Sequence, residues 1–272
     1  MTIQIVSNNY AMAGFEEEHG FALLIKENNE ITLFDTGRGR AFINNIERMK
    51  IDIFSIQNLI LSHGHYDHCG NIDYIFNKNN KIKIYTHPAF SAERYSIHQN
   101  RDPKLTYIGI SSTIREQLSK YQLINTEQPT QISANMFVTG EIPRESSEDT
   151  GGPFFFDKEG EKVDKIIDDE AIYITTPKGL IIITGCCHSG IINTVEHIKN
   201  ISKESNIRAI IGGLHLVNAS DERINQTINY LNSLNLEYLY PGHCTGELAT
   251  FKLEESLNCK VSQLLVNHIL TF

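Results

Sequence analysis

The same order of predicted elements occurs twice in this chain of 272 residues. In the first occurrence, two apolar, β-favouring runs at 21–26 and 31–35 flank the turn-prone segment 27–30 and predict a β-hairpin. A helical pattern from Phe42 to Met49 follows, and then a buried strand over 57–61. Each predicted strand delivers polar residues at its carboxyl end.

The second occurrence begins with apolar runs at 171–175 and 180–184. Between them lies Thr176-Pro177-Lys178-Gly179, whose proline and glycine suit positions i+1 and i+3 of a type I turn. A helical pattern over 191–198 and an apolar strand over 209–211 complete the unit. The repetition predicts an ancient duplication with two related αβ halves. In this register Asp35 corresponds to the Gly185-Cys186 turn and His63 corresponds to His215.

Composition excludes several classes of protein. An apolar fraction of 40% and a charged fraction of 21% fit a full hydrophobic core and exclude intrinsic disorder and fibrous structure. The net charge of −9 opposes general nucleic-acid binding. The longest apolar runs are far below the ~20 residues that cross a bilayer, so no membrane association is expected, and no export signal is visible. Five cysteines, an odd number, indicate thiols in a reducing cytoplasm.

The region at about 85–169 is less regular and rich in aromatic residues, including the run Phe154-Phe155-Phe156. Long insertions of this kind commonly form lids or binding loops. Surface loops over a small hydrophobic cluster are the alternative interpretation.

Histidines concentrate in positions that favour metal binding. Three of the eleven lie in the window His63-x-His65-x-Asp67-His68, directly after a buried strand. Three more follow apolar strands next to glycine: His188, His215 and His243. Imidazole suits zinc, iron, cobalt and nickel, and a carboxylate also suits manganese, so the spacing leaves the metal open. The other five are predicted to be ordinary residues: His19, His87, His98, His197 and His268.

Four ordered motifs resemble those of the metallo-β-lactamase-fold superfamily over nearly the whole chain. They are Leu33-Phe34-Asp35-Thr36-Gly37, Ser62-His63-Gly64-His65-Tyr66-Asp67-His68, Thr184-Gly185-Cys186-Cys187-His188-Ser189-Gly190 and Tyr240-Pro241-Gly242-His243. Further segments at 140–144, 211–216 and 242–246 resemble the branch that includes the dihydropterin-methyl-ribofuranosylaminobenzene phosphate synthase of methanopterin biosynthesis. The resemblance implies a single α/β domain over 1–272, a four-layer αβ/βα sandwich of two mixed β-sheets, with the insertion at 85–169 as a lid.

The resemblance also implies a metal site in the cleft between two sheets, holding one or two divalent ions, with zinc expected and iron, manganese, nickel or cobalt as alternatives. The first ion takes His63 and His65, and the second takes Asp67, His68 and His243. The chain departs from the common pattern by having Asp168-Asp169-Glu170 where a ligand histidine usually stands and Cys186-Cys187-His188 where a bridging aspartate stands. We expect His188 to supply the missing imidazole. Whether Cys186 or Asp169 is a ligand stays open, because a packed structural cysteine is the alternative for Cys186.

The predicted activity is hydrolysis of a small ester-type or phosphorylated substrate by a metal-activated water, which Asp67 helps to orient. His215 is a candidate ligand, substrate contact or general acid. Asp35 is expected to accept a hydrogen bond from a ligand imidazole or to tie down the loop. Arg144 is a candidate phosphate clamp, with a plain exposed arginine as the alternative.

Three other functions stay open at this point. A pterin-dependent transferase uses the same metals on a leaving pyrophosphate. A nuclease of this superfamily is weaker, because the chain has neither a basic surface nor an extra substrate-clamping domain. A non-catalytic, metal-loaded sensor would bind a small molecule without turnover.

Overall fold

The computed structural model describes residues 1–97, 105–148 and 152–272. The chain divides into two compact units. Unit 1 contains Met1–Asn125, Gly152–Asp168 and Leu265–Phe272, and unit 2 contains Thr126–Gly151 and Asp169–Leu264. His98 lies outside the described residues, as do the stretches 98–104 and 149–151 of the predicted insertion.

The strands of the described residues, in chain order, are β1 Thr2–Ser7, β2 Ala22–Glu27, β3 Glu30–Phe34, β4 Asn58–Ile60, β5 Lys83–Thr86, β6 Tyr95–Ile97, β7 Leu105–Tyr107, β8 Leu123–Asn125, β9 Thr130–Gln131, β10 Met136–Val138, β11 Phe154–Phe155, β12 Val163–Asp164, β13 Ala171–Ile174, β14 Leu180–Thr184, β15 Ile207–Gly212, β16 Tyr238–Pro241, β17 Lys260–Val261 and β18 Ile269–Thr271. The α-helices are α1 Arg40–Arg48, α2 Tyr66–Cys69, α3 Ile72–Lys78, α4 Ser112–Gln117, α5 Ile191–Ser202, α6 Asp221–Ser233 and α7 Glu247–Ser256. Short 3-10 turns cover Ile53–Ser55, Pro88–Ser91, Leu118–Lys120 and His243–Thr245.

Unit 1 is built on a seven-stranded mixed sheet in the order β18-β1-β2-β3-β4-β5-β8. The first three pairings are antiparallel and the last three are parallel. Strand β4 is buried throughout and β3 is buried over its last three residues, and side chains such as Leu33 and Leu59 form a core with Phe42 of α1 and Ile75 of α3. Because β3 and β4 are parallel, the segments that follow Phe34 and Ile60 leave the sheet at the same edge.

A second, smaller sheet in unit 1 comes from the predicted insertion. Its four strands are in the order β12-β11-β6-β7, and all three pairings are antiparallel. The aromatic residues of this region therefore have regular structure. Tyr95 and Tyr107, for example, pack edge to face with ring centroids 5.4 Å apart.

Unit 2 repeats the plan of the main sheet of unit 1. Its order is β9-β10-β13-β14-β15-β16-β17, and again three antiparallel pairings precede three parallel ones. Its core joins sheet residues such as Ile182 and Ile210 to Val195 of α5 and Ile228 of α6. The equal order and direction of the strands agree with the duplication that the repeated sequence pattern predicts.

The elements predicted from the apolar runs are confirmed with shifts of one or two residues at their ends, except that the helix predicted over 191–198 continues to Ser202. The Thr176–Gly179 turn is closed by a hydrogen bond from the Gly179 N–H to the Thr176 carbonyl, 3.1 Å. Two short helices follow the loop after β4, namely α2 and α3, and Gly70 and Asn71 separate them. No helix within the described ranges is both long and apolar enough to cross a membrane.

Candidate functional site

The predicted histidine motif is buried in unit 1, with His63 and His65 on the loop after β4 and Asp67 and His68 on the short helix α2. His63 and His68 are fully buried and His65 is nearly so. Nε2 of His63 lies 2.9 Å from Nδ1 of His65, and the rings of His63 and His68 have centroids 4.3 Å apart. The parallel pairing of β3 and β4 explains this placement, because it brings the polar ends of both strands to one edge.

Asp35 fixes the orientation of His68. Its Oδ2 accepts hydrogen bonds from His68 Nδ1 at 2.6 Å and from the Ser62 hydroxyl at 2.8 Å, and its Oδ1 accepts one from the Ser62 N–H at 2.7 Å. A histidine that donates from Nδ1 carries its lone pair on Nε2, which is the form that binds metals. The contact with His68 supplies the hydrogen bond to an imidazole that the sequence analysis expects of Asp35, and the role of His68 as a metal ligand stays a prediction. Asp35 itself has a left-handed backbone, with φ of +58°.

Asp67 contacts two imidazoles of unit 1. Its Oδ2 lies 3.1 Å from Nε2 of His19 and 4.0 Å from Nε2 of His68. Sequence reasoning placed His19 among the ordinary residues and missed its contact with Asp67, because the two are separated by 48 positions and no local pattern connects them.

Asp168 is not available as a metal ligand in the way its register suggests. Its carboxylate pairs with the fully buried guanidinium of Arg94, at 2.8 and 2.5 Å, and also accepts a hydrogen bond of 2.9 Å from the Gly64 N–H. Burial by itself would raise the pKa of Asp168, but the charge and hydrogen bonds of Arg94 bring that pKa below its ordinary value. Asp168 therefore stays ionised and anchors the backbone between His63 and His65.

Burial keeps His65 in its neutral form. Removal from water, assisted by the positive charge of Arg94, lowers the pKa of His65 from 6.5 to about 3. A neutral imidazole is the state that coordinates a metal ion. The ring of Phe154, from the small sheet, packs against this imidazole at a centroid distance of 5.5 Å.

The ligand-type residues of unit 2 lie on three loops that follow its parallel strands. Cys186 and His188 follow β14, His215 follows β15, and His243 and Cys244 follow β16. Two groups of possible ligand atoms arise, and in each the atoms lie within 4.8 Å of one another: Cys186, His188 and His215, and Cys186, His243 and Cys244. Since Cys186 belongs to both groups, it is the centre of the cluster.

Cys244 was missed by the sequence analysis. Its thiol is buried and donates a hydrogen bond to the carbonyl oxygen of Cys186 at 3.4 Å. Burial acts to raise the pKa of Cys244, but its hydrogen bond with the Cys186 side chain and the neighbouring His243 and His215 lower that pKa well below its ordinary value. The signal that could have found it is its position next to His243 in a loop that ends a parallel strand.

Asp169, the alternative to Cys186 as a ligand, has another contact. Its Oδ2 accepts a hydrogen bond of 2.7 Å from the Ser189 N–H, and it belongs to neither ligand group of unit 2. Burial raises the pKa of Asp169, with the Ser189 N–H and the charge of Arg144 opposing that rise. Arg144 is half-buried and not a plain exposed arginine.

The donor sets of both units suit a divalent metal ion. Unit 1 offers buried imidazoles with a carboxylate, and unit 2 offers imidazoles with thiols, which are the side chains that bind zinc and its neighbours in the transition series. The assignment of each residue to an individual ion stays a prediction.

Comparisons with known proteins agree with this chemistry. The family model described as the metallo-beta-lactamase superfamily matches residues 16–183. A solved structure described as Tm1679, a metal-dependent hydrolase of the beta-lactamase superfamily, is 30% identical, with a TM-score of 0.86 over 100% of this chain and 99% of that chain.

Two curated relatives come from Methanocaldococcus jannaschii. An uncharacterized protein is 36% identical over 94% of this chain and 95% of its own length. The 7,8-dihydropterin-6-methyl-4-(beta-D-ribofuranosyl)-aminobenzene-5'-phosphate synthase is 31% identical over 95% of this chain and 91% of its own length.

Proposed function

Because the chain belongs to the metallo-β-lactamase superfamily, we propose that it is a metal-dependent hydrolase acting on a small phosphorylated or ester-type substrate. The observation that carries the proposal is the buried group of His63, His65 and His68, in which one imidazole is held by Asp35 and another is kept neutral by burial. Burying imidazoles side by side costs free energy, and metal binding is the function that accounts for that cost.

The proposed ligands are those that the motifs predict. They are His63, His65, Asp67 and His68 in unit 1, and Cys186, His188 and His243 in unit 2. A bound divalent ion, with zinc preferred, would lower the pKa of a water toward about 7 and stabilise an oxyanion. In this proposal Asp67 orients the attacking water by accepting one of its protons in a hydrogen bond.

Substrate recognition is assigned to two residues of unit 2. Arg144 has a planar guanidinium suited to bidentate phosphate binding, and its charge already acts on Asp169. His215 is half-buried, and its ring centroid lies 4.3 Å from that of His188. An imidazole in this position can protonate a leaving group.

A pterin-dependent transferase is the second candidate. It is supported by the 31% identical relative that is named as a synthase. The half-buried ring of Phe154 beside His65 also suits stacking on a flat ring such as a pterin. The same residues would serve either reaction.

A substrate screen on metal-analysed protein separates these functions. The panel contains phosphoesters, lactones, and a dihydropterin pyrophosphate together with an arylamine. Turnover of esters or phosphoesters without a condensation product supports the hydrolase, and a condensation product supports the transferase. Tight binding without turnover would identify a sensor and contradict both.

The variant His65→Ala tests the metal role within the same screen. We expect lower metal content and loss of turnover. His197→Gln is the matched control, because His197 Nε2 lies 3.1 Å from the Thr139 carbonyl oxygen and belongs to none of the ligand groups. Undiminished metal content in His65→Ala would contradict the assignment.

We further propose that the protein acts in the cytoplasm on a small molecule. The five cysteines, none of which is in a disulfide, support a reducing compartment, and the net charge of −9 disfavours nucleic acid as a substrate.

A further inference from the structure

Unit 2 contains two buried thiols beside the loops that carry its histidines. Cys186 and Cys244 are 4% and 5% exposed, and neither is part of a disulfide. Their sulfur atoms and a ring nitrogen of His243 lie within 4.8 Å of one another. A tetrahedral zinc site with Zn–S near 2.3 Å and Zn–N near 2.0 Å places its ligand atoms roughly 3.3 to 3.8 Å apart, so a small contraction of this group would complete the geometry.

We propose that Cys244 is a metal ligand and that it binds, with Cys186 and His243, a thiophilic divalent ion such as zinc or iron(II). Thiolates favour these ions over magnesium and manganese, so the two sulfurs also select the metal. The inference rests on the proposed function only in taking Cys186 and His243 as ligands. It does not depend on which reaction the protein catalyses.

Gly213 lies directly against the sulfur of Cys244. A Cβ added at Gly213 would lie 2.4 Å from the Gly185 carbonyl oxygen, 2.7 Å from Cys244 Sγ and 3.3 Å from Cys186 Cα. Glycine at 213 therefore permits β15 to end directly against both cysteines.

The same loops hold two histidines in an unfavourable conformation. The φ angles of His215 and His243 are +49° and +48°. A left-handed backbone at a residue other than glycine costs on the order of 1 kcal/mol or more, and such residues concentrate at functional sites. Both histidines belong to the ligand groups that share Cys186, whereas Cys187, which is also left-handed with φ of +64°, belongs to neither.

A third buried cysteine on these loops, Cys187, has different contacts and offers a matched control. Cys187 is next in the chain and equally buried, yet its sulfur lies 3.4 Å from the hydroxyl of Thr194, and it is in neither ligand group.

Cobalt substitution tests the proposal without an activity assay. The full-length protein is stripped of metal, loaded with Co²⁺, and compared with Cys244→Ser, Cys186→Ser and Cys187→Ser by their near-ultraviolet thiolate-to-cobalt absorption. We expect strong absorption in the wild-type protein and in Cys187→Ser, a clear loss in Cys244→Ser, and the larger loss in Cys186→Ser. Full absorption in a folded Cys244→Ser variant would overturn the proposal.

X-ray absorption at the zinc edge provides a second measurement that needs no variant. The wild-type zinc protein is expected to show two sulfur scatterers at about 2.3 Å. Bound zinc without sulfur scatterers would overturn the role of Cys244 and leave the proposed hydrolase standing. Sulfur ligation in a protein that turns over no substrate would support the role of Cys244 and contradict the proposed hydrolase.

Discussion

The Asp168 carboxylate accepts a hydrogen bond of 2.9 Å from the N–H of Gly64, the residue between His63 and His65. The same carboxylate is paired with Arg94, whose Nε also lies 3.1 Å from Asp164. All three charged side chains are buried. This hydrogen bond therefore links the loop that holds His63 and His65 to the buried ion pairs of Arg94.

Removing the charge of Asp168 is expected to destabilise the protein and loosen the loop. The variant Asp168→Asn leaves the buried guanidinium of Arg94 with one carboxylate in place of two, and breaking a buried pair costs about 3–5 kcal/mol. Urea unfolding measures this loss. Asp221→Asn is the control, because Asp221 pairs with Lys252 at the surface and its loss is expected to cost less than about 1 kcal/mol. Equal costs in the two variants would contradict the role of the network.

The stabilisation by Asp168 is expected to depend on pH with a definite sign. The pKa of Asp168 is lower in the folded protein than its ordinary value of 3.8. Its contribution is therefore complete well above pH 3.8 and is lost as the pH falls through the folded pKa. The difference in unfolding free energy between wild type and Asp168→Asn should be constant from pH 7 down to about pH 5 and shrink below pH 4. A difference in unfolding free energy that grows as the pH falls would contradict this prediction.

Gly64 is expected to tolerate no side chain. A Cβ at this position would overlap the carbonyl oxygen of Phe90, and backbone atoms cannot move aside as a flexible side chain can. Gly64→Ala should therefore cost at least about 1–3 kcal/mol and lower metal content by displacing His63 and His65. At Gly39 the nearest atom to an added Cβ is Glu18 Oε2 at 3.8 Å, so Gly39→Ala should change stability by about 1 kcal/mol or less. Calorimetry and metal analysis of both variants check the contrast.

Asp35→Asn is expected to weaken metal binding while preserving the fold. Asparagine tolerates the left-handed φ of +58° at this position, so the backbone should be retained. The carboxylate that accepts the His68 Nδ1 proton is lost, and such partners are typically worth 10–100-fold in metal affinity. Competition with a chelator measures the affinity. An unchanged affinity would show that His68 needs no orienting partner or is not a ligand.

Much of the fold follows from local sequence patterns. The hairpins and the parallel strands are apolar runs bounded by turn residues, as in 171–184, and their repetition indicates two related sheets. The histidine window could be predicted because its members lie within six consecutive positions, after a strand whose burial is evident from its composition. The contact between Asp35 and His68 could be predicted because both follow parallel neighbouring strands.

The contacts that escaped prediction join residues far apart in the sequence. Arg94 and Asp168 are 74 positions apart, and only the small sheet from the 85–169 region brings them together. Cys244 and Cys186 are 58 positions apart, on loops after strands that flank β15. No periodicity specifies which of several polar residues at strand ends will meet, so side-chain partners of this kind require the folded structure.

Anomalous diffraction from crystals of the metal-loaded protein, measured on both sides of the absorption edge, tests the central claim most directly. The account predicts an ion within about 2.0–2.3 Å of nitrogen atoms of the His63–His68 loop, and ion density bonded to the sulfurs of Cys186 and Cys244. Metal-loaded crystals with no anomalous peak at any of these imidazoles or thiols would contradict it.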